Sequence, residues 1–171
     1  MRYVAVAVSL LFVAALFSLT VAQEQKAAVK HEYIGAKMCK MCHTKDGIFD
    51  SWAASKHATA WDGLSEEQKK NEALKAYYTT GTSAKGELLT GVQCEACHGP
   101  GNDYKTKSIM ENKEQAIANG MIIPDEKTCK KCHNETAPTD ALKASAKAFD
   151  FAKMKTTGVH AAAKKAAEPN K

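Results

Sequence analysis

Read for the periodicity of its apolar positions, the chain predicts helices joined by turns, with few strands. An isolated apolar run opens it, preceded by the single basic residue Arg2, diluted by Ser9, Ser18 and Thr20, and followed by polar Gln23-Glu24-Gln25-Lys26. Small residues at Thr20 and Ala22 complete the layout of a secretory signal peptide over 1–22. The alternative is an uncleaved anchor, since the run is long enough to span a bilayer. No later segment is apolar enough to do so. A helix is expected over 46–64, where Ala53, Ala54, His57 and Trp61 share one face. Ser65-Glu66-Glu67-Gln68 has capping-box spacing and opens a second helix to about 78. Gly- and Thr-rich 79–90 reads as a loop, Gly99-Pro100-Gly101 as a turn, and 111–119 as a short helix stopped by Gly120. Ile122-Ile123-Pro124 is extended. The last long helix covers 139–155, with a break at Thr156-Thr157-Gly158. The functional domain is 23–160, and the Ala- and Lys-rich tail 161–171 is expected to be flexible.

Composition sharpens this picture. A chain of 171 residues fits one domain plus a targeting segment. The formal charge of +5 drops by one with Arg2, the only charged residue in 1–22. Lys and Glu are interspersed as on a solvated surface, and no basic block calls for nucleic acid. Aromatic residues make up 7%, so large side chains are too few to fill a core of this size, and something else must help.

The cysteines supply the candidate. All six fall in three copies of one pattern: Cys39-Lys-Met-Cys42-His43, Cys94-Glu-Ala-Cys97-His98 and Cys129-Lys-Lys-Cys132-His133. This is the attachment motif for haem c. Two thiols three residues apart on a helical turn can add to the two vinyl groups on one porphyrin edge, forming thioethers. The next histidine then presents its imidazole to the iron. Disulfides would explain an even cysteine count but not a histidine after every second cysteine. Zinc ribbons would leave one and a half four-ligand sites. Thioredoxin-like chemistry needs one such pair on a strand–helix scaffold, which the pattern lacks. Three covalently attached haem c groups therefore fit best, and the fold expected is a mainly α multihaem cytochrome fold whose core is formed largely by haem.

The six histidines balance the same account. His43, His98 and His133 belong to the motifs. His31, His57 and His160 remain as sixth ligands, so the count suits bis-histidine ligation throughout. His57 has small neighbours and Trp61 beside it, which leaves room for a flat macrocycle. His160 follows the break at Gly158. His31 lies in a polar lead-in. Methionine is the other axial option, but Met38 and Met41 flank the first motif too closely, and Met110, Met121 and Met154 suit packing better.

A wider resemblance rests on Tyr33-Ile-Gly-Ala-Lys-Met-Cys39, Ser51-Trp52, Ser55-Lys-His57-Ala and Thr90-Gly-Val-Gln-Cys94-Glu-Ala-Cys97-His98-Gly-Pro-Gly101. Pro124 before Cys129-Lys-Lys-Cys132-His133-Asn134, and Phe149-Asp-Phe151 ahead of His160, extend it over nearly the whole mature chain. These residues resemble the cytochrome c-554 type of multihaem cytochrome, known from the electron-transfer chain of nitrifying bacteria. That family typically carries four haems. The motif absent here would stand where Leu74, Tyr77 and Tyr78 lie, and it serves the family's five-coordinate haem. Losing that open iron face implies electron transfer rather than catalysis. The resemblance pairs His57 with His98 and His160 with His133. It places the first haem's partner about ten residues after His98, where this chain has Ser108. His31 is left for His43, with an open first haem or a histidine from a neighbouring chain as alternatives.

The expectation is an exported carrier, periplasmic or else extracellular, that moves single electrons between redox partner proteins and is not an enzyme. Two other readings keep the same chemistry. One is a haem-stacking subunit of an extracellular conducting assembly. The other is a reductase of small nitrogen compounds with one open haem, which rapid carbon monoxide binding would reveal.

Overall fold

Short polar signals, more than long apolar stripes, set the secondary structure. The computed structural model describes residues 31–160, so the expected signal peptide 1–22 and the tail 161–171 lie outside the described residues. Helix α1 is Ala36–His43 and carries the first motif. Helix α2, Ile48–Ala53, starts after Gly47, where Asp46 Oδ1 accepts the Ile48 N–H at 3.0 Å.

The helix expected over 46–64 stops at Ala53. Beyond it the chain runs as three-residue turns, with N–H donation from Ala58 to Ser55, Asp62 to Thr59 and Leu64 to Trp61. A tertiary bond explains the stop. The His57 carbonyl accepts the Val92 N–H at 2.9 Å and so is not held by an α-helical ladder. The Trp52 indole N–H donates to the Val92 carbonyl at 2.9 Å, seating the same segment on the approach to the second motif. Between them lies Gly91 at φ +79°, where a Cβ would stand 2.6 Å from the Ala58 carbonyl oxygen. Gly91→Ala is therefore expected to destabilise by about 2 kcal/mol or more, left-handed strain and the backbone clash acting together. A denaturant midpoint lowered at unchanged slope would register it.

The Ser65 capping box forms, with Gln68 N–H donating to Ser65 Oγ at 3.2 Å and Ser65 N–H to Gln68 Oε1 at 2.9 Å. It opens only a 3-10 turn, Gln68–Lys70. Asn71 is extended and recaps the chain, accepting from the Ala73 and Leu74 N–H groups, so helix α3 covers Glu72–Tyr78 alone. The segment read as a loop over 79–90 is a hairpin, β1 Thr79–Thr82 against β2 Leu88–Thr90, antiparallel, with a bulge between Thr79 and Gly81. Its β-branched threonines suit strand geometry.

Helix α4, Cys94–His98, carries the second motif. Helices α5, Lys107–Met110, and α6, Lys113–Ala118, follow, and Gly120 ends the latter as expected. Helix α7, Glu126–Lys130, opens the third motif under a reciprocal Asp125–Thr128 cap. The single helix expected over 139–155 is two: α8, Asp140–Lys147, capped by Thr139, and α9, Phe151–Thr157, capped by Asp150. The break between them leaves Phe149 stacked on His133, with ring centres 4.8 Å apart and planes at 18°.

Mainly helical architecture with one small sheet matches the fold class read from the sequence. Among the described residues the apolar core is slight: Ala36, Leu74, Leu89, Tyr104, Ala116 and Ala137 are buried, whereas Met41, Ile117, Ile122 and Ile123 are exposed. Among the described residues no helix is long and apolar enough to cross a membrane.

Candidate haem-attachment site

Each motif spends one helical turn on a cysteine, a second cysteine three residues on, and the adjacent histidine, which puts all three on one side of the turn. In α1 these are Cys39, Cys42 and His43, and in α4 Cys94, Cys97 and His98. In the third copy α7 ends at Lys130, but the turn continues, with Cys132 and His133 N–H groups both donating to the Cys129 carbonyl.

In every motif the histidine Nδ1 is engaged by the protein. His43 Nδ1 lies 2.8 Å from Asp46 Oδ2, His98 Nδ1 3.1 Å from the Ile122 carbonyl oxygen, and His133 Nδ1 3.2 Å from Ser145 Oγ on α8. A ring whose Nδ1–H is held this way keeps its Nε2 lone pair for a metal. Burial holds His98, His133 and His57 below the ordinary histidine pKa, with the neighbouring His133 also acting on His57. All three are neutral near pH 7, the form that ligates. Slight burial would raise the Asp46 carboxyl, but its bonds to His43 and the Ile48 N–H outweigh it and hold the group below the usual carboxylate range.

The non-motif histidines sit as follows. His57 faces His133, with ring centres 6.0 Å apart, and His160 faces His98 at 6.4 Å. The ligand pairs that the resemblance implies are His57 with His98 and His160 with His133, whereas the ring contacts formed in the structure are His57 with His133 and His160 with His98. Local tethers account for it: the Val92 N–H bond to the His57 carbonyl fixes one segment, and Ser51 Oγ donating to the Val159 carbonyl fixes the other against α2. His31 Nδ1 lies 2.5 Å from Asp103 Oδ2, and its ring rests on Gly120. Asp103 therefore presents His31 as the motif partners present theirs, although no contact brings its ring to His43.

The thiols converge. Cys39 and Cys94 lie close enough to act on each other, which raises Cys39 and lowers Cys94. Burial, with Cys129 and Cys132 nearby, pushes the Cys97 thiol up to about 11. The first motif thus abuts the second, and the second approaches the third.

One residue organises this junction and was not singled out by its sequence position. Glu95, between the two cysteines of the second motif, is only 2% exposed. Its carboxylate accepts the Gly35 N–H at 2.7 Å, the Gly101 N–H at 2.6 Å and the Ile34 N–H at 3.0 Å. It ties the lead-in of the first motif and the turn after the second to one side chain. A second clasp holds His98: Ile122 N–H donates to its carbonyl at 2.8 Å, and the Tyr104 hydroxyl donates to the His98 and Gly99 carbonyls. Gly99, at φ +78°, lets this turn pass where a Cβ would stand 2.7 Å from the Gly120 oxygen. Thr80 and Gln93 complete the frame, since Thr80 Oγ1 accepts the Gln93 N–H at 2.7 Å and Gln93 Oε1 accepts the Ala36 N–H at 2.6 Å. The Asp46–His43 contact had a visible signal in its three-residue spacing. Glu95 had none, because a charged residue inside a motif normally reads as solvated.

Among the described residues no group of three His, Cys, Asp or Glu side chains is placed to hold a metal ion alone. The donors come instead as facing histidine pairs beside paired thiols. A metal–imidazole bond is about 2 Å long, so two rings on opposite sides of one ion have centres roughly 6 Å apart. The His57–His133 and His98–His160 separations fit that spacing. The donor set therefore suits haem c.

Comparison with known proteins points the same way. The sequence model of the family described as outer membrane cytochrome MtrC/MtrF-like, domains II/IV, matches residues 21–169. Cytochrome c-554 of Nitrosomonas europaea is 30% identical over 158 residues, covering 72% of this chain. The match spans 66% of that relative's length, just under two thirds. The solved structure of reduced cytochrome c554 from Nitrosomonas europaea superposes with a TM-score of 0.50 at 22% identity, covering 73% of this chain and 82% of that one, a likeness of fold. With motif turns, anchored imidazoles and family match in agreement, the chain belongs to the multihaem cytochrome c family.

Proposed function

We propose that this chain carries single electrons through three haem c groups held by Cys39 and Cys42, Cys94 and Cys97, and Cys129 and Cys132, with His43, His98 and His133 as proximal ligands. The observation that carries the reading is the pair of facing imidazoles, His57 with His133 and His98 with His160, each motif ring anchored at Nδ1. Haem c supplies a one-electron ferric–ferrous couple when bound. The residues do the rest. Histidines on both sides close the iron to small molecules and hold the same ligands in either oxidation state. Phe149, stacked on His133, and Ile122, bonded to His98, fix the rings so that little moves as charge arrives. His31, aimed by Asp103, is the distal ligand assigned to the first haem. The convergence of Cys39 with Cys94, and of Cys97 with Cys129 and Cys132, supports porphyrins close enough for electrons to pass between them.

The chain works as an exported protein, in the periplasm or at the cell surface, between redox partner proteins. The match to a domain of outer membrane cytochromes favours a second reading at the surface, as one part of a larger electron-conducting assembly. Intact mass and the visible spectrum of the exported protein test the core claim. Three porphyrins per chain, retained in denaturant, with low-spin bands and no rapid carbon monoxide uptake, are expected. A colourless protein, or fewer porphyrins than motifs, overturns it.

A further inference from the structure

The three motif histidines differ at the nitrogen that faces away from the iron. His98 Nδ1 meets a backbone carbonyl, that of Ile122, and His133 Nδ1 meets the Ser145 hydroxyl. Both partners are uncharged. His43 Nδ1 meets a carboxylate oxygen, Asp46 Oδ2, at 2.8 Å. The carboxylate is not there by chance of rotamer. Its other oxygen accepts the Ile48 N–H at 3.0 Å, where Gly47 turns the chain from α1 into α2, so Asp46 is fixed at both oxygens. Thr44 Oγ1 bonds back to the Lys40 carbonyl at 2.7 Å and firms the end of α1 that presents the ring.

A carboxylate drawing on the Nδ1 proton makes the imidazole a more basic ligand, more so than a neutral acceptor does. A more basic axial ligand, with a fixed negative charge behind it, favours ferric over ferrous iron. We propose that Asp46, acting through His43, gives the first haem the lowest reduction potential of the three, an inference that rests on the ligation proposed above. It is a positioning residue: it touches the ligand and not the iron. An electron shared among the sites then rests on the second or third haem. The first is the strongly reducing rung, filled only by a donor of still lower potential or by thermal exchange with its neighbours.

Potentiometric titration of the haem-loaded protein tests this, with intact mass measured first on every variant. Fewer than three porphyrins in the wild type would sink the ligation and leave this inference without a subject. With three in place, Asp46→Asn is expected to raise the lowest midpoint by a change of about tenfold in that couple's equilibrium, about 59 mV for one electron. The other two midpoints should move little. Asp46→Ser, which offers His43 a neutral partner like that of His133, should act in the same direction. Asp50→Asn removes a carboxylate four residues on that makes no contact with His43, and it controls for charge alone. Three results overturn the proposal: no change in the lowest midpoint, an equal change in Asp50→Asn, or a shift confined to a higher couple. A purely structural role for Asp46 would alter stability without moving one midpoint selectively.

Discussion

His57→Ala is expected to open one iron in the reduced protein to stoichiometric, rapid carbon monoxide binding, and His160→Ala a different one. The wild type, with both rings in place, should take up none on that timescale. The effect is all or none at each site, because a strong-field ligand is exchanged for a vacant position. Geometry also says which site. The His57 ring centre stands 6.0 Å from that of His133 and the His160 ring centre 6.4 Å from that of His98, so the first variant should open the third haem and the second variant the second haem. The Phe149 ring, stacked on His133 at 4.8 Å, is the reporter. Its proton resonances should shift on carbon monoxide binding in His57→Ala and stay in place in His160→Ala. The reverse assignment would restore the pairing that resemblance alone implies, and uptake by the wild type would point to a reductase.

Glu95→Ala is expected to cost about 4 kcal/mol of folding stability, read as a lower denaturant midpoint of the haem-loaded protein. The buried carboxylate satisfies the N–H groups of Ile34, Gly35 and Gly101. Each donor left buried without a partner costs about 1–3 kcal/mol, and a methyl group offers none of them an acceptor. Water entering the gap would recover part of the loss. Glu95→Gln keeps one oxygen but turns an amide N–H₂ toward at least one donor, so about half the penalty is expected, roughly 2 kcal/mol. Equal stability of both variants with the wild type would mean that the junction of the first two motifs is held elsewhere.

These three positions mark the border of what could be read from the residues alone. The chemistry was legible: three Cys-x-x-Cys-His runs dictate three like turns, and the structure forms each of them. Local stop and start signals were legible too. Ser65 with Gln68 and Gly120 act at the positions where they were expected. What failed was continuity. Over 46–64, 65–78 and 139–155 the periodic pattern ran through breaks that other residues impose. Asn71 and Asp150 recap the chain with their own side chains, and the Val92 N–H draws on the His57 carbonyl. Tertiary bonds of that kind leave no trace in spacing. The same holds for Glu95, whose partners lie up to 61 residues away, and for the ring contacts of His57 with His133 and of His160 with His98.

None of the helices from α1 to α9 exceeds eight residues. Isolated helices shorter than about 12–15 residues do not persist in water. Among the described residues, local coil-to-helix ordering therefore has little hold ahead of assembly, and far-ultraviolet circular dichroism becomes a gauge of maturation. In a cell starved of porphyrin, the segment 31–160 is expected to keep little lasting helix and to be open to proteases, rather than to wait as a finished scaffold for its pigment.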